Sequence, residues 1–138
     1  MIVTGRISLQ TKGHGDTVDV TPQVARQVED CGFSDGLVTV FVAGSTAGVT
    51  TIEYEPGVIA DFQRAWDRAV PTDIPYDHDR RWGDGNGYSH VRASMLGCSL
   101  VVPFERQRLV LGTWQQIVLV DFDNRPRSRQ VVLQVVGE

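Results

Sequence analysis

The sequence predicts a single α+β domain in which several β-strands and about three α-helices share one core. Alternating apolar and polar residues near the N-terminus and strand-like segments in the C-terminal third indicate a sheet, and apolar residues recur at helical spacing between them. The length of 138 residues suits one domain with a sizeable core. A composition of 41% hydrophobic and 22% charged residues excludes a disordered chain. We therefore expect one domain over residues 1–138.

The first strand and the first helix are predicted by a change of period near Asp19. Before it, one face of a half-buried strand is apolar, formed by Val3, Gly5, Ile7 and Leu9. After it, Thr21 and Pro22 are typical of a helix N-cap and first turn, and Gly32 is suited to end the helix. The first helix is therefore expected from about Pro22 to Cys31.

A β-hairpin and a second helix are predicted next. Residues Leu37 to Ala43 and Val49 to Tyr54 are rich in Val and Thr and are separated by the turn Gly44 to Gly48, which favours two paired strands. After Glu55-Pro56-Gly57, one helical face carries Val58, Phe62, Ala65, Trp66 and Ala69, and Pro71 ends the run.

The rest of the chain is predicted as a long loop, a short third helix and several strands. No period is present from Thr72 to Tyr88, and a loop of this length in a small domain is functional or disordered. Ser89 is a predicted N-cap for a helix that ends at Gly97. Strand-like segments follow at 100–104, 109–111, 114–122 and 129–136, with a turn at 124–126.

Charge and hydropathy exclude several classes of partner. The formal net charge of -4 lacks the positive field that binds a nucleic-acid backbone. The N-terminal sequence MIVTGRISLQ has no signal-peptide run, and no segment is long and apolar enough to cross a bilayer. We therefore expect a cytoplasmic protein with no nucleic-acid or membrane partner, in which Cys31 and Cys98 are packed thiols rather than a disulfide.

The segment DHDRRWGDGNGYSH, residues 77–90, is the strongest candidate for a binding site. Its glycines allow close approach of the backbone to a ligand, and the predicted helix start would offer unpaired amides to an anion such as phosphate. Two alternatives stay open. Glycine and aspartate are also ordinary components of surface loops, and the aspartates resemble calcium ligands although the EF-hand pattern is missing.

Two histidines bracket this segment and suggest chemistry. His78 and His90, with Glu53 from a strand end, would supply zinc-type ligands or an acid–base pair, although a single histidine is more often a surface or core residue. Arg125, Arg127 and Arg129 are interpreted as a solvated turn and strand start, with a phosphate clamp as the alternative.

The chain resembles the YjbQ-like family, also described as a secondary thiamine-phosphate synthase family. The resemblance follows GSTAGVTTIEYEPGV, HDRRWGDGNGYSHVRASMLG, VVPF and LGTWQQIVLVDFDNRPRSR in the same order and covers nearly the whole chain. It implies a mixed, largely antiparallel, barrel-like sheet, a homotrimer with sites near subunit boundaries, a weak thiamine-phosphate synthase activity and a bound metal in some members.

The resemblance carries some site residues over and not others. Relatives often have histidine where this chain has Gly44 and Tyr88, so two expected metal ligands are replaced and zinc affinity should be low. The positions that match are Glu53, His78, Asp79, Asn86, His90 and Gln115.

Two functions are therefore predicted as alternatives. One is a thiamine-phosphate synthase-like transferase acting on phosphorylated small molecules, and the other is a non-catalytic trimer that binds a small anionic ligand or a metal. The resemblance implies catalytic roles for Glu53, His78, Asp79 and His90, with His78 and His90 as ligands of a divalent metal, zinc or magnesium. The expected ligand-binding residues are Ser45, Thr46, Arg80, Arg81, Asn86, Ser89 and Gln115.

Overall fold

Two antiparallel β-sheets and four helices make up the fold in the computed structural model, which describes all 138 residues. The strands are β1 (Ile2–Thr11), β2 (Asp16–Asp19), β3 (Gly36–Val42), β4 (Ala47–Ile52), β5 (Ser99–Glu105), β6 (Arg108–Leu109), β7 (Gln116–Asp121) and β8 (Arg127–Gly137). The helices are α1 (Thr21–Asp30), α2 (Pro56–Ala69), α3 (Asp77–Trp82) and α4 (Gly87–Leu96).

The strands form a curled half-barrel. A five-stranded sheet has the order β1-β8-β3-β5-β6, and a three-stranded sheet has the order β2-β7-β4. Every strand pairing is antiparallel. The predicted α+β fold with a largely antiparallel, barrel-like sheet is confirmed, and three of the four helices match the predicted ones in position.

Other elements of the fold pack against both faces of the three-stranded sheet but against only one face of the five-stranded sheet. The main core lies between the two sheets and α1, where alternate residues of β3, β7 and β8 pack against Val20, Val24 and Val28. A second cluster joins Val118, Val120 and Phe122 of the other β7 face to α2 and α4. None of the four helices is both long and apolar enough to span a bilayer.

The predicted hairpin of β3 and β4 is wrong, because the two strands belong to different sheets. β3 pairs with β5 and β8, and β4 pairs with β7. The connection between them crosses from one sheet to the other at Thr46, whose carbonyl accepts a 2.9 Å bond from the amide of Phe122. A turn with glycines between two Val-rich strands favours a hairpin locally. Here β3 and β4 instead pair with strands that are distant in sequence.

Several predicted helix boundaries also need correction. Thr21 is the first residue of α1 rather than its cap, and its amide donates to Asp19 Oδ1 at 2.9 Å. α3 lies within the segment predicted as a loop, since six residues are too few to show a helical period. α2 begins as expected after Glu55, whose carboxylate accepts from the amides of Gly57 and Val58, and these bonds lower its pKa.

Candidate functional site

The candidate site lies where α3, the loop after it and the start of α4 meet the end of β7. Gly83 and Gly85 both have left-handed backbone conformations, with φ of 67° and 66°, which turn the chain sharply between the two helices. The Asp79 carboxylate in α3 accepts a 2.8 Å bond from the amide of Gly87, the first residue of α4. This bond fixes the two helices relative to each other.

Three potential metal ligands converge at this turn. The ligand atoms of His78, Asp79 and Asp84 all lie within 4.8 Å of one another. His78 Nδ1 is 3.8 Å from Asp79 Oδ1 and 3.4 Å from Asp84 Oδ1. Nδ1 is also buried and has no hydrogen-bond partner. A buried nitrogen that faces two carboxylate oxygens fits a divalent cation, because imidazole and carboxylate are ordinary ligands of zinc and related metals.

His90 connects this cluster to a cavity. The ring centroids of His78 and His90 are 4.5 Å apart, with a tilt of 40° between the rings. His90 also lines a cavity of about 280 Å³, together with Gly44 and Ser45. The partly buried His90 therefore borders both the ring of His78 and a space that a small molecule can enter.

Three predicted ligand-binding residues are buried, and their side chains bond to the segment that follows β7. Asn86 is buried and donates from Nδ2 to Asp123 at 3.2 Å. Ser89 is fully buried, with Oγ 2.5 Å from Asn86 Oδ1 and 2.6 Å from the Phe122 carbonyl. Thr46 is also buried and donates to Asp123 at 2.8 Å. The predicted capping role of Ser89 is therefore wrong, because its hydroxyl ties α4 to the end of β7.

A buried charge network holds this region and was not predicted. Asp121 is fully buried and binds Arg129 through two bonds, to Nε at 2.6 Å and to Nη2 at 2.9 Å. Asp123, also fully buried, lies 3.0 Å from Nε of Arg127. The interpretation of these arginines as a solvated turn is wrong for Arg129, whose side chain is only 9% exposed.

The pKa of Asp123 is lowered by its partners. Burial acts to raise the pKa, but hydrogen bonds from Thr46, Asn86 and Arg127, together with the charge of Arg127, outweigh it. A lowered carboxyl pKa means that the ionised form is favoured in the folded state. Asp123 therefore stabilises the fold as an anion.

Acid is expected to destabilise the protein through Asp123. Because its folded pKa lies below the ordinary value of 3.8, its contribution is complete above that value and is lost as the pH falls through the lowered folded pKa. Urea unfolding followed between about pH 2.5 and pH 6 tests this dependence. The Asp123→Asn variant should show a shallower loss of stability in acid, and an identical slope for both proteins would contradict the assignment.

Comparison with known proteins settles the family. The sequence profile described as UPF0047 protein YjbQ-like matches residues 5–138. A UPF0047 protein of Archaeoglobus fulgidus is 38% identical over 130 residues, which are 94% of this chain and 98% of the relative. The YjbQ protein of Escherichia coli O157:H7 is 33% identical over 134 residues, 96% of each chain. The chain belongs to the YjbQ-like family.

Solved structures of YjbQ-like proteins share the whole fold. A YbjQ-like protein of unknown function from Sulfolobus solfataricus superposes with a TM-score of 0.94 at 31% identity, covering 100% of this chain and 99% of that one. A YjbQ/UPF0047 family protein from Clostridium acetobutylicum gives a TM-score of 0.87 at 33% identity, covering 96% and 99%. The predicted resemblance is confirmed, and an activity on thiamine precursors stays a prediction.

Glu53 and Gln115 do not join the histidines in this YjbQ-like chain. Glu53 follows the end of β4 that is opposite to Thr46, and seven residues of extended chain span about 23 Å. It is exposed and lines a separate cavity of about 390 Å³. Gln115 precedes β7 rather than lying in it, and it bonds to Thr51 at 3.0 Å. The six family-matched positions therefore do not converge in one pocket.

The predicted arginines Arg80 and Arg81 contact residues outside the cluster. Arg80 pairs with Asp77 at 2.9 Å on an exposed surface, and the Arg81 guanidinium lies 5.6 Å from the ring centroid of Trp82. Tyr88 is buried, and the Arg92 guanidinium lies over its ring at 5.1 Å from the ring centroid. The site that the structure assembles consists of His78, Asp79, Asp84 and His90.

Proposed function

We propose that this YjbQ-like protein binds a divalent cation at His78, Asp79 and Asp84 and uses it to hold a small phosphorylated molecule next to His90. One observation carries the proposal: His78 Nδ1 is buried, has no partner and faces carboxylate oxygens at 3.4 and 3.8 Å. A buried polar atom without a partner is costly in a folded protein. A metal ion would remove that cost and balance the two carboxylates.

The start of α4 supports a metal-dependent mode of anion binding rather than a helix-amide site. The amide of Gly87 already donates to Asp79, and the amide of Ser89 donates to the Asn86 carbonyl at 3.1 Å. Arg80 and Arg81 are engaged elsewhere. A bound cation would supply the positive charge that a phosphate needs, and the partly exposed His90 would donate a hydrogen bond to the phosphate.

Metal titration tests the proposal. The family resemblance implies histidine at the positions of Gly44 and Tyr88. We therefore expect less than one zinc per chain after purification without added metal, and one divalent ion per chain after titration with Zn²⁺ or Mg²⁺. Elemental analysis and calorimetry give the two values. Stoichiometric zinc that survives mild chelation would contradict the weak site, and an absence of any saturable binding would contradict the metal proposal itself.

Phosphate binding should then depend on both the metal and His90. Thiazole phosphate, one of the two thiamine precursors, is a suitable probe. We expect it to bind the metal-loaded protein, and His90→Ala to weaken that binding by about 1.5 to 3 kcal/mol, the range for a hydrogen bond to a charged group. Since His90 is partly exposed, its removal should leave the fold intact. Equal binding by both proteins would remove His90 from the site.

A thiamine-phosphate synthase-like transfer is the second candidate, and it rests on the family resemblance. It requires stabilisation of a pyrophosphate leaving group, for which the cation at His78 is the available source of charge. Because Glu53 lies at the other end of β4, we assign it no part in this reaction. A turnover assay with both precursors separates the candidates, since binding without product supports a binding protein.

The homotrimer is also retained as a proposal, together with a cytoplasmic location. Its support is the outer face of the five-stranded sheet, where the apolar side chains of neighbouring strands are about half exposed: Ile2, Leu37, Phe41, Val101 and Val136. A contiguous exposed apolar patch on a sheet indicates a protein interface. A second and a third copy of this chain are the proposed partners.

A charge placed on this face should dissociate the trimer. We expect Val101→Glu to lower the mass measured by light scattering, because a carboxylate in an apolar interface loses its hydration without a partner. Val110→Glu is the matched control, since Val110 is exposed to 51% compared with 56% for Val101 but follows β6. A monomeric mass for the unmodified protein at micromolar concentration would remove the trimer.

A further inference from the structure

The cavity beside His90 has walls made of small residues. It has a volume of about 280 Å³ and lies between α4 and the crossing that leads into β4. Beyond His90, the residues that define its shape are Gly44, Ser45, Ala47, Ala93 and Ser94. Pockets for drug-sized ligands have volumes of about 300 to 1,000 Å³, so this cavity suits a compact group.

Gly44 lines the cavity at a position where a larger residue would not fit without a shift. A Cβ atom at this position would come within 2.8 Å of Nη1 of Arg129. Arg129 is held by two bonds to the buried carboxylate of Asp121 and is not free to move away. A side chain at position 44 would therefore press on the buried ion pair, whereas glycine does not.

The lining also limits the charge of what the cavity accepts. No lysine, arginine, aspartate or glutamate lines it, and His90 is its one titratable side chain apart from the thiol of Cys98. Arg129, the cation beside Gly44, is already paired with Asp121, so a phosphate placed inside would lose its hydration without gaining an unpaired counter-charge. The charged part of a ligand is better placed at the cluster of His78, Asp79 and Asp84, because the ring of His78 is 4.5 Å from that of His90.

These observations assign a substrate class to the proposed site. We infer that the ligand is a compact phosphate monoester, with its phosphate at the His78 cluster and its uncharged organic group in the cavity beside His90. This inference rests on the proposed metal-dependent function. It adds that the organic group is neutral and limited in size, and that Gly44 and the small side chains of α4 set that limit.

A series of alkyl phosphates tests the inference on the Mg²⁺-saturated protein. Calorimetry with methyl, ethyl, propyl and butyl phosphate should show affinity rising by up to about fourfold per methylene, the transfer value of one buried CH₂ group. Affinity that is independent of chain length would overturn the inference.

A cavity-filling variant provides the matched control. Ser94 is exposed, and its hydroxyl bonds only to the His90 carbonyl at 2.8 Å. Ser94→Leu should therefore fold normally and bind Mg²⁺ as before, while the preference for butyl over methyl phosphate is lost. A butyl preference that persists in Ser94→Leu would overturn the assignment of the cavity.

Cys98 gives an independent readout without any substitution. Cys98 is exposed and lines the cavity, contrary to the packed thiol predicted from the sequence, whereas Cys31 is partly buried. Butyl phosphate should slow alkylation of Cys98 by iodoacetamide, measured by mass spectrometry, and methyl phosphate should slow it less. If Mg²⁺ and methyl phosphate bind, but affinity does not rise with chain length and butyl phosphate does not protect Cys98, the inference fails and the metal site stands. If Mg²⁺ does not bind, both fail.

Discussion

Replacing Asp121 with alanine is expected to lower the free energy of unfolding by about 3 to 5 kcal/mol, the cost of breaking a buried ion pair from one side. The Asp121 carboxylate is fully buried and accepts bonds from Arg129 and from Thr11, the latter at 2.6 Å. Alanine would leave the Arg129 guanidinium with a side-chain exposure of 9% and without its main counter-charge. Urea unfolding at neutral pH measures the change.

A surface ion pair of the same chemistry is the control for this prediction. Arg26 and Asp30 are 3.7 Å apart on α1, with side chains exposed to 83% and 69%. Asp30→Ala should therefore change the stability by no more than about 1 kcal/mol. If Asp121→Ala costs as little as Asp30→Ala, the Asp121 network does not stabilise the fold as we describe. Such a result would also weaken the argument that Arg129 is fixed beside Gly44.

Replacing His78 with alanine is expected to reduce the affinity for a divalent cation. Loss of a residue that only hydrogen-bonds to a metal ligand typically costs about 10- to 100-fold in affinity, and the loss of His78, a ligand itself, should exceed that. His78 supplies the one buried nitrogen in the cluster, while Asp79 and Asp84 supply oxygens. Without it, two partly solvated carboxylates are left to bind the ion. Calorimetric titration with Zn²⁺ measures the loss.

His14 provides the matched histidine control. It is exposed in the turn between β1 and β2, and it lines a different cavity with Lys12 and Tyr54. His14→Ala should leave the affinity for Zn²⁺ at the cluster unchanged. An equal loss in His14→Ala and His78→Ala would mean that the measured binding is not specific to the His78 cluster, and an unchanged affinity in His78→Ala would remove that residue as a ligand.

Local patterns in the sequence predict much of the fold, because they report which face of an element is buried. β1 and α2 show this well: the alternation around Ile7 and the cap at Glu55 are both complete within a few residues. The pairing of β4 with β7 could not be predicted in this way. It depends on contacts such as that between Thr46 and Asp123, which are 77 residues apart in the chain.

Local sequence also predicts part of the candidate site. His78, Asp79 and His90 lie within one short segment, so their proximity follows from the local chain. Asp84 lies in the same segment, but the sequence indicates it only as an oxygen ligand for calcium. Glu53 is a matching residue from a distant strand, and nothing local reveals which end of the sheet it occupies. Asp121 looks like the polar end of a strand, and its burial follows only from the three-dimensional packing.

The most direct test of the account is the location of a bound metal. A crystal soaked in Zn²⁺ and measured at the zinc absorption edge should give an anomalous peak about 2.0 to 2.2 Å from His78 Nδ1 and from a carboxylate oxygen of Asp79 or Asp84, the distances of zinc–nitrogen and zinc–oxygen bonds. The account predicts this peak beside the ring of His90. A crystal saturated with Zn²⁺ that shows no peak at His78, or whose peak lies at the Cys98 thiol instead, would contradict it.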